Sequence, residues 1–255
     1  MATDLKGRSV TLSGLGRDAL RDLLVMGVLM GLAGAAIASL AGFSAGYVVK
    51  AAVVYVVGAA LIWRGLPLGH PHPRFGPANR VTLLRMALSA LLAAVVGEPL
   101  GQPDTIAWVI VVAATVTAVL DAADGPLARR SGQASDFGAR FDMETDAWLT
   151  LVLCALIVHF DKAGAWVLAA GLMRYAFVAA ARLWPWLSGT LPASLRRKAV
   201  CVAQITTLIV CLGPIVPHAL SSALAAASLL VLTWSFSVDV RTLAKTRAHL
   251  LESST

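Results

Sequence analysis

Four carboxylates in one short stretch of an otherwise apolar chain have the type and spacing to do chemistry. They are Asp121 and Asp124 in Asp121-Ala-Ala-Asp124-Gly125-Pro-Leu-Ala128-Arg129, and Asp142 and Asp146 in Gly138-Ala-Arg-Phe-Asp142-Met-Glu-Thr-Asp146. The first pair is three residues apart and the second four. Both spacings place side chains on one helical face. A helix ending at the intervening loop and another starting after it can turn those faces toward each other. Converging carboxylates repel unless a cation sits among them, and oxygen donors suit Mg²⁺, Mn²⁺ or Ca²⁺. The cluster holds no His or Cys, which argues against Zn²⁺. Gly125 and Gly138 permit a bend or a close approach of ligand to backbone. Arg129 can pair with a carboxylate or a substrate phosphate. The competing reading is a solvated loop whose acids only pair with Arg129, Arg130 and Arg140.

The elements that must position these acids are membrane helices. The chain has 255 residues, 58% hydrophobic and only 14% charged, with a mean hydropathy of +0.77. An average soluble domain carries about 25% charged residues. A soluble enzyme, a disordered chain and a secreted disulfide scaffold are thereby excluded, and an all-α polytopic membrane protein is predicted. Cys154, Cys201 and Cys211 lie in apolar stretches without metal-ligand spacing and read as small core residues. A crossing needs about 20 apolar residues. Spans are predicted near 22–42, 44–63, 81–97, 104–120, 143–160 and 163–185, with two more in the charge-free run 199–238. The turn between those last two is placed at Gly213-Pro-Ile-Val-Pro217. The first apolar run is too long for a cleaved signal peptide, whose core spans about 7–15 residues.

Charge orients the helices. The net charge of +7 comes from 21 Lys and Arg against 14 Asp and Glu. No basic patch with interleaved aromatics exists, so nucleic acid is not an expected partner. Alternate connections hold Arg64, Arg74 and Arg80; Arg129, Arg130 and Arg140; Arg182, Arg196, Arg197 and Lys198; and Arg241, Lys245 and Arg247. The intervening connections hold only Lys162, with Lys50 nearby. This asymmetry predicts eight spans with both termini and the basic loops in the cytoplasm. From Asp104 to Asp121 a helix rises about 26 Å, and from Asp142 to Phe160 about 27 Å. The acids are therefore expected at the cytoplasmic edge of the bilayer, where a lipid headgroup lies.

The pattern Asp121-x2-Asp124-Gly125-x2-Ala128-Arg129-x8-Gly138-x3-Asp142-x3-Asp146 resembles the signature of the CDP-alcohol phosphotransferases at every position. The resemblance implies a six-helix core, here residues 71–245. Two extra N-terminal transmembrane helices within residues 1–70 would precede it, and a cytoplasmic tail, 246–255, would follow. It implies an enzyme of phospholipid synthesis in the inner membrane. Such an enzyme moves a phosphatidyl group from a CDP-linked lipid, CDP-diacylglycerol being favoured, to a polar alcohol with release of CMP. It implies two divalent cations, Mg²⁺ or Mn²⁺, held by Asp121, Asp124, Asp142 and Asp146, with Asp146 also the candidate base. Gly125, Ala128, Arg129 and Gly138, with Asp124, would line the CDP pocket, and a homodimer is expected.

Two further elements are similar to that family's. Asn79-x2-Thr82-x2-Arg85 opens the first core helix and would lie near the nucleotide; an ordinary helix start with a snorkelling Arg is the alternative. Lys198 and Gln204 resemble part of a Gly-Lys-x-Lys-Thr-x2-Gln element of branches with phosphorylated acceptors, but Arg197, Val200 and Cys201 depart from it. Arg196, Arg197 and Lys198 could still clamp an acceptor phosphate. Arg174, near the middle of its span, and Arg182 two turns on must face protein or a water-filled cavity and are candidates for the acceptor pocket. An ion-coupled transporter could use the same acids, but would place them near the midplane in repeated, broken helices.

Overall fold

The computed structural model describes residues 4–66, 72, 74–130, 132, 134–189, 191 and 194–252, and leaves out the side chains of 4–13, 123–130 and 248–252. Among the described residues there are eight α-helices, two short 3-10 turns and no strand. The helices are α1 (Asp4–Ala41), α2 (Ala45–Gly65), α3 (Pro77–Ala94), α4 (Pro103–Arg130), α5 (Asp136–His159), α6 (Leu168–Leu183), α7 (Leu195–Cys211) and α8 (His218–Glu252). The turn between α7 and α8 falls where the Gly-Pro run predicts it. Helix α4 continues well past its apolar stretch, and carries Asp121 and Asp124 on unbroken helix.

Among the described residues five helices are long and apolar enough to cross a membrane: α1, α2, α4, α6 with the turn before it, and α8. Their outer faces are apolar: Leu24, Val28 and Leu32 of α1, Val53 and Val56 of α2, Val109 and Val112 of α4, and Leu230 of α8 are all exposed. Water would not tolerate such a surface, and hydrocarbon does. Helices α3, α5 and α7 depart from that pattern because they are shorter or carry charge at one end. In α3, Asn79, Thr82, Arg85 and Ser89 are all buried.

The chain divides into two compact units, one through Leu149 and one from Thr150. In the first, α3 packs against α1, α2 and α4. Two tyrosines of α2 bond backbone carbonyls of its neighbours: Tyr55 Oη donates to Leu23 O of α1 at 2.7 Å and Tyr47 Oη to Leu91 O of α3 at 3.1 Å. The start of α3 is held by α1. Phe75 N donates to Asp18 Oδ2 at 2.9 Å, and Arg80 Nε to Asp22 Oδ2 at 2.6 Å. The N-terminal pair is thus docked on the first helix of the region that resembles the family core.

In the second unit, α7 packs along α8. Gly171 of α6 lies so close to α5 that an added Cβ would stand 2.5 Å from Leu151 Cα. Small residues let membrane helices approach to that distance. Lys162 donates to Gly213 O at 3.1 Å and Val216 O at 2.7 Å, which ties the α5–α6 connection to the α7–α8 turn.

Candidate active site

Three helices of the first unit build the site. Ser135 caps α5, its Oγ accepting from Gly138 N at 3.0 Å, and so fixes where that helix begins. From that start, Asp142 and Asp146 fall one turn apart. Phe137 and Phe141 also fall one turn apart, with ring centroids separated by 6.0 Å. Helix α4 brings Asp121 to the same place. One carboxylate oxygen from each of Asp121, Asp142 and Asp146 lies within 4.8 Å of the others. The side chain of Asp124 lies outside the described residues, as do those of Ala128 and Arg129; the backbone of all three, and of Gly125, is helical.

Arg85 of α3 enters this cluster from the protein side. Its side chain is wholly buried, whereas those of Asp121, Asp142 and Asp146 are 29%, 36% and 19% exposed. Arg85 Nη2 donates to Asp121 Oδ1 at 2.7 Å, Nη1 donates to Asp142 Oδ1 at 2.5 Å, and Nη2 also donates to Asp146 Oδ1. A snorkelling arginine reaches for water; this one is turned inward and bound on three sides. The sequence places Arg85 beside the nucleotide, and the structure directs its guanidinium to the acids. The signal for that was available: α3 holds no Asp or Glu, so an arginine inside it must find its counter-charge on another helix.

The arrangement fits a hard cation. Two ligands at 2.0–2.6 Å from one ion stand at most about 4–5 Å apart, and the three oxygens meet that limit. Like charges 4 Å apart repel by about 4 kcal/mol at an effective dielectric of 20. One guanidinium cannot balance three ionised carboxylates, so the cluster could hold a cation.

Asn79 and Gly138 meet at the edge of the site. A Cβ on Gly138 would stand 3.0 Å from Asn79 Oδ1 and 3.3 Å from Ser135 Oγ. Asn79 is itself fixed by donating from Nδ2 to Phe75 O at 2.5 Å. Thr82 turns its hydroxyl back to Ala78 O at 3.2 Å. Gly76, which precedes α3, has φ 88°, a backbone conformation for which glycine is suited.

The remaining candidates fall in the second unit. Arg174 and Arg182 line a cavity of about 410 Å³ with Phe177, Leu187, Ser188 and Gly189. The basic triplet divides. Arg196 is engaged by α8: it donates to Asp239 Oδ1 at 2.5 Å, to Ser235 O at 2.6 Å and to Ser235 Oγ, and lies 5.7 Å from the ring of Trp234. Arg197 reaches Asp239 at 3.4 Å, and Lys198 is exposed. Gln204 is buried, and neither end of its carboxamide has a hydrogen-bond partner among the described residues.

The family model for CDP-alcohol phosphatidyltransferase matches residues 75–238. The match begins just before α3, takes in the whole aspartate cluster, and leaves α1 and α2 outside it. No curated protein and no solved structure matches the chain.

Proposed function

The chain belongs to the CDP-alcohol phosphatidyltransferase family, and from that premise we propose that it moves the phosphatidyl group of CDP-diacylglycerol to the hydroxyl of a polar, phosphorylated alcohol. The family makes it a membrane transferase acting on a CDP-linked alcohol; the donor, the acceptor and the residue roles are the proposal. The single observation that carries it is the convergence of Asp121, Asp142 and Asp146 within 4.8 Å.

Divalent cations bound there, Mg²⁺ or Mn²⁺, would offset the pyrophosphate charge and draw electrons toward the leaving oxygen. Asp121, Asp124 and Asp142 would hold them, and Asp146 is either a shared ligand or the base. In its ionised form Asp146 takes the proton of the acceptor hydroxyl. The acceptor oxygen forms a bond to the phosphatidyl phosphorus, the phosphorus–oxygen bond to CMP breaks, and CMP leaves with that electron pair. No covalent enzyme intermediate is needed. Asn79, Thr82, Gly125, Ala128, Arg129 and Gly138 would line the CDP pocket. Gly138 lets Asn79 approach α5 closely, which brings two of these residues together.

Arg174 and Arg182 would hold the acceptor's phosphate, and their shared cavity supports that role. Within the triplet, Arg197 and Lys198 are the candidates to assist, since the bonds of Arg196 to α8 make it an anchor. The alternating basic connections support a site at the cytoplasmic side of the cell's inner membrane, with both termini on that side. The enzyme would serve phospholipid synthesis as a homodimer.

The test is direct. Purified protein is given CDP-diacylglycerol and Mn²⁺, acceptors are added one at a time, and CMP and the product lipid are identified by mass. Acceptor-dependent CMP release, largest with a phosphorylated alcohol, is expected. No CMP release across a broad acceptor panel would overturn the assignment.

A further inference from the structure

We propose that Arg85 is a built-in counter-cation that competes with the divalent ions for the aspartate cluster, and so sets how tightly the empty enzyme holds metal. The inference rests on reading those aspartates as a cation site. It starts from three facts of geometry. The guanidinium of Arg85 contacts all three described carboxylates. Its side chain has no solvent exposure, so its charge is met by protein groups and not by water. Helix α3 supplies no acid of its own, so the charge of Arg85 is matched only across helices.

The consequences follow from charge. With all three ionised the carboxylates would carry −3, and Arg85 offsets one of those charges. A cation arriving at the open side meets a cluster whose pull is already weakened, and it draws on the same oxygens that Arg85 bonds. In the absence of metal, Arg85 prevents the acids of α4 and α5 from driving their helices apart. Arginine suits both tasks. It keeps its proton when buried, and its planar fork serves several carboxylates at once. Arg85 is accordingly a positioning residue that acts through the aspartates, and its removal should destabilise the metal-free protein while tightening its hold on metal.

The experiment uses the full-length protein in lipid nanodiscs. Mn²⁺ affinity is read from the spin-resonance signal of the free ion, and thermal unfolding is followed in EDTA and at saturating Mn²⁺. In Arg85→Gln, Mn²⁺ should bind at least about fivefold more tightly, because a neighbouring positive charge has gone. The same variant should unfold at lower temperature in EDTA, and saturating Mn²⁺ should close most of that gap. Arg85→Lys keeps the charge and should stay within about threefold of the wild-type affinity. Unchanged or weaker Mn²⁺ binding in Arg85→Gln overturns the inference, as does a loss of thermal stability equal with and without metal; either would make Arg85 a packing residue. If Arg85→Gln does not fold, Arg85→Lys decides, and a change beyond threefold overturns the inference. A wild-type protein that binds no Mn²⁺ is a separate failure, which removes the metal reading of the aspartates.

Discussion

The chemistry of this protein is concentrated in side chains that a membrane ordinarily excludes. Asp121, Asp142 and Asp146 lie together because the four-residue spacing on α5 aims two acids at the place where α4 brings the third, and Arg85 bonds all three. Replacing a ligand by its amide keeps its shape and removes its charge. Asp121→Asn and Asp142→Asn should each lower kcat by at least about 100-fold, since even outer-shell changes at metal sites cost 10–100-fold. Mn²⁺-dependent CMP release measures this, and the variants should still insert in the membrane. Asp146→Asn removes the proposed base and should lower kcat by about 10²–10⁴-fold. Gly138→Ala tests the proposed nucleotide-binding role of Gly138 and Asn79. Its new methyl would press on Asn79 Oδ1, and kcat/KM for the CDP-linked donor should fall on the order of 10-fold through misplacement.

At the scale of the helices, position is set by contacts that hydropathy does not report. Lys162, on a connection otherwise poor in basic residues, and Lys50, in α2 and near another such connection in sequence, are both structural anchors. Lys162 bonds two carbonyls of the α7–α8 turn. Lys50 pairs with Glu98 at 2.6 Å, and Glu98 also accepts from Ser44 N at 2.8 Å and from its hydroxyl at 3.1 Å. Burial pushes the Glu98 carboxyl upward, but Lys50 and Ser44 outweigh it and hold the group below its ordinary value. The sign follows: the clamp stabilises the fold above the ordinary carboxylate range and is lost as pH falls through the lowered value. Glu98→Gln should cost about 1–3 kcal/mol near neutral pH. Thermal unfolding against pH should show that difference shrinking below about pH 4. The α5–α6 approach gives a second test: Gly171→Ala must push Leu151 aside and should destabilise by about 1–3 kcal/mol, read as a lower unfolding temperature.

For the molecule as a whole, a cation bound only by the folded protein stabilises it by mass action. At 100 times its dissociation constant that amounts to about 2.7 kcal/mol. EDTA should therefore lower the unfolding temperature of the purified enzyme and Mn²⁺ restore it, while Asp142→Asn, short of a ligand, should respond weakly to either. The apolar exterior sets the conditions of such measurements, since the protein needs detergent or lipid to present its helix faces to anything but water.

Membrane class, the order of the eight helices found among the described residues, the turn at Gly213–Pro217 and three of the four expected acids were legible in the residues alone. Each of these follows from local quantities: the length of an apolar run, the residues that break it, and spacing along a helix. The contacts of Arg85 with Asp121, Asp142 and Asp146 came only from the tertiary structure, since the sequence places it equally well beside a nucleotide or in snorkelling contact with the interface. It also separated Arg196, bonded to Asp239 and Ser235 of α8, from its exposed neighbour Lys198, and it docked α1 on α3 through Asp18 and Asp22. The physical reason is common to all three. A charge inside a bilayer protein must be matched, and its partner can lie tens of residues away on another helix, at a separation to which periodicity and spacing are blind.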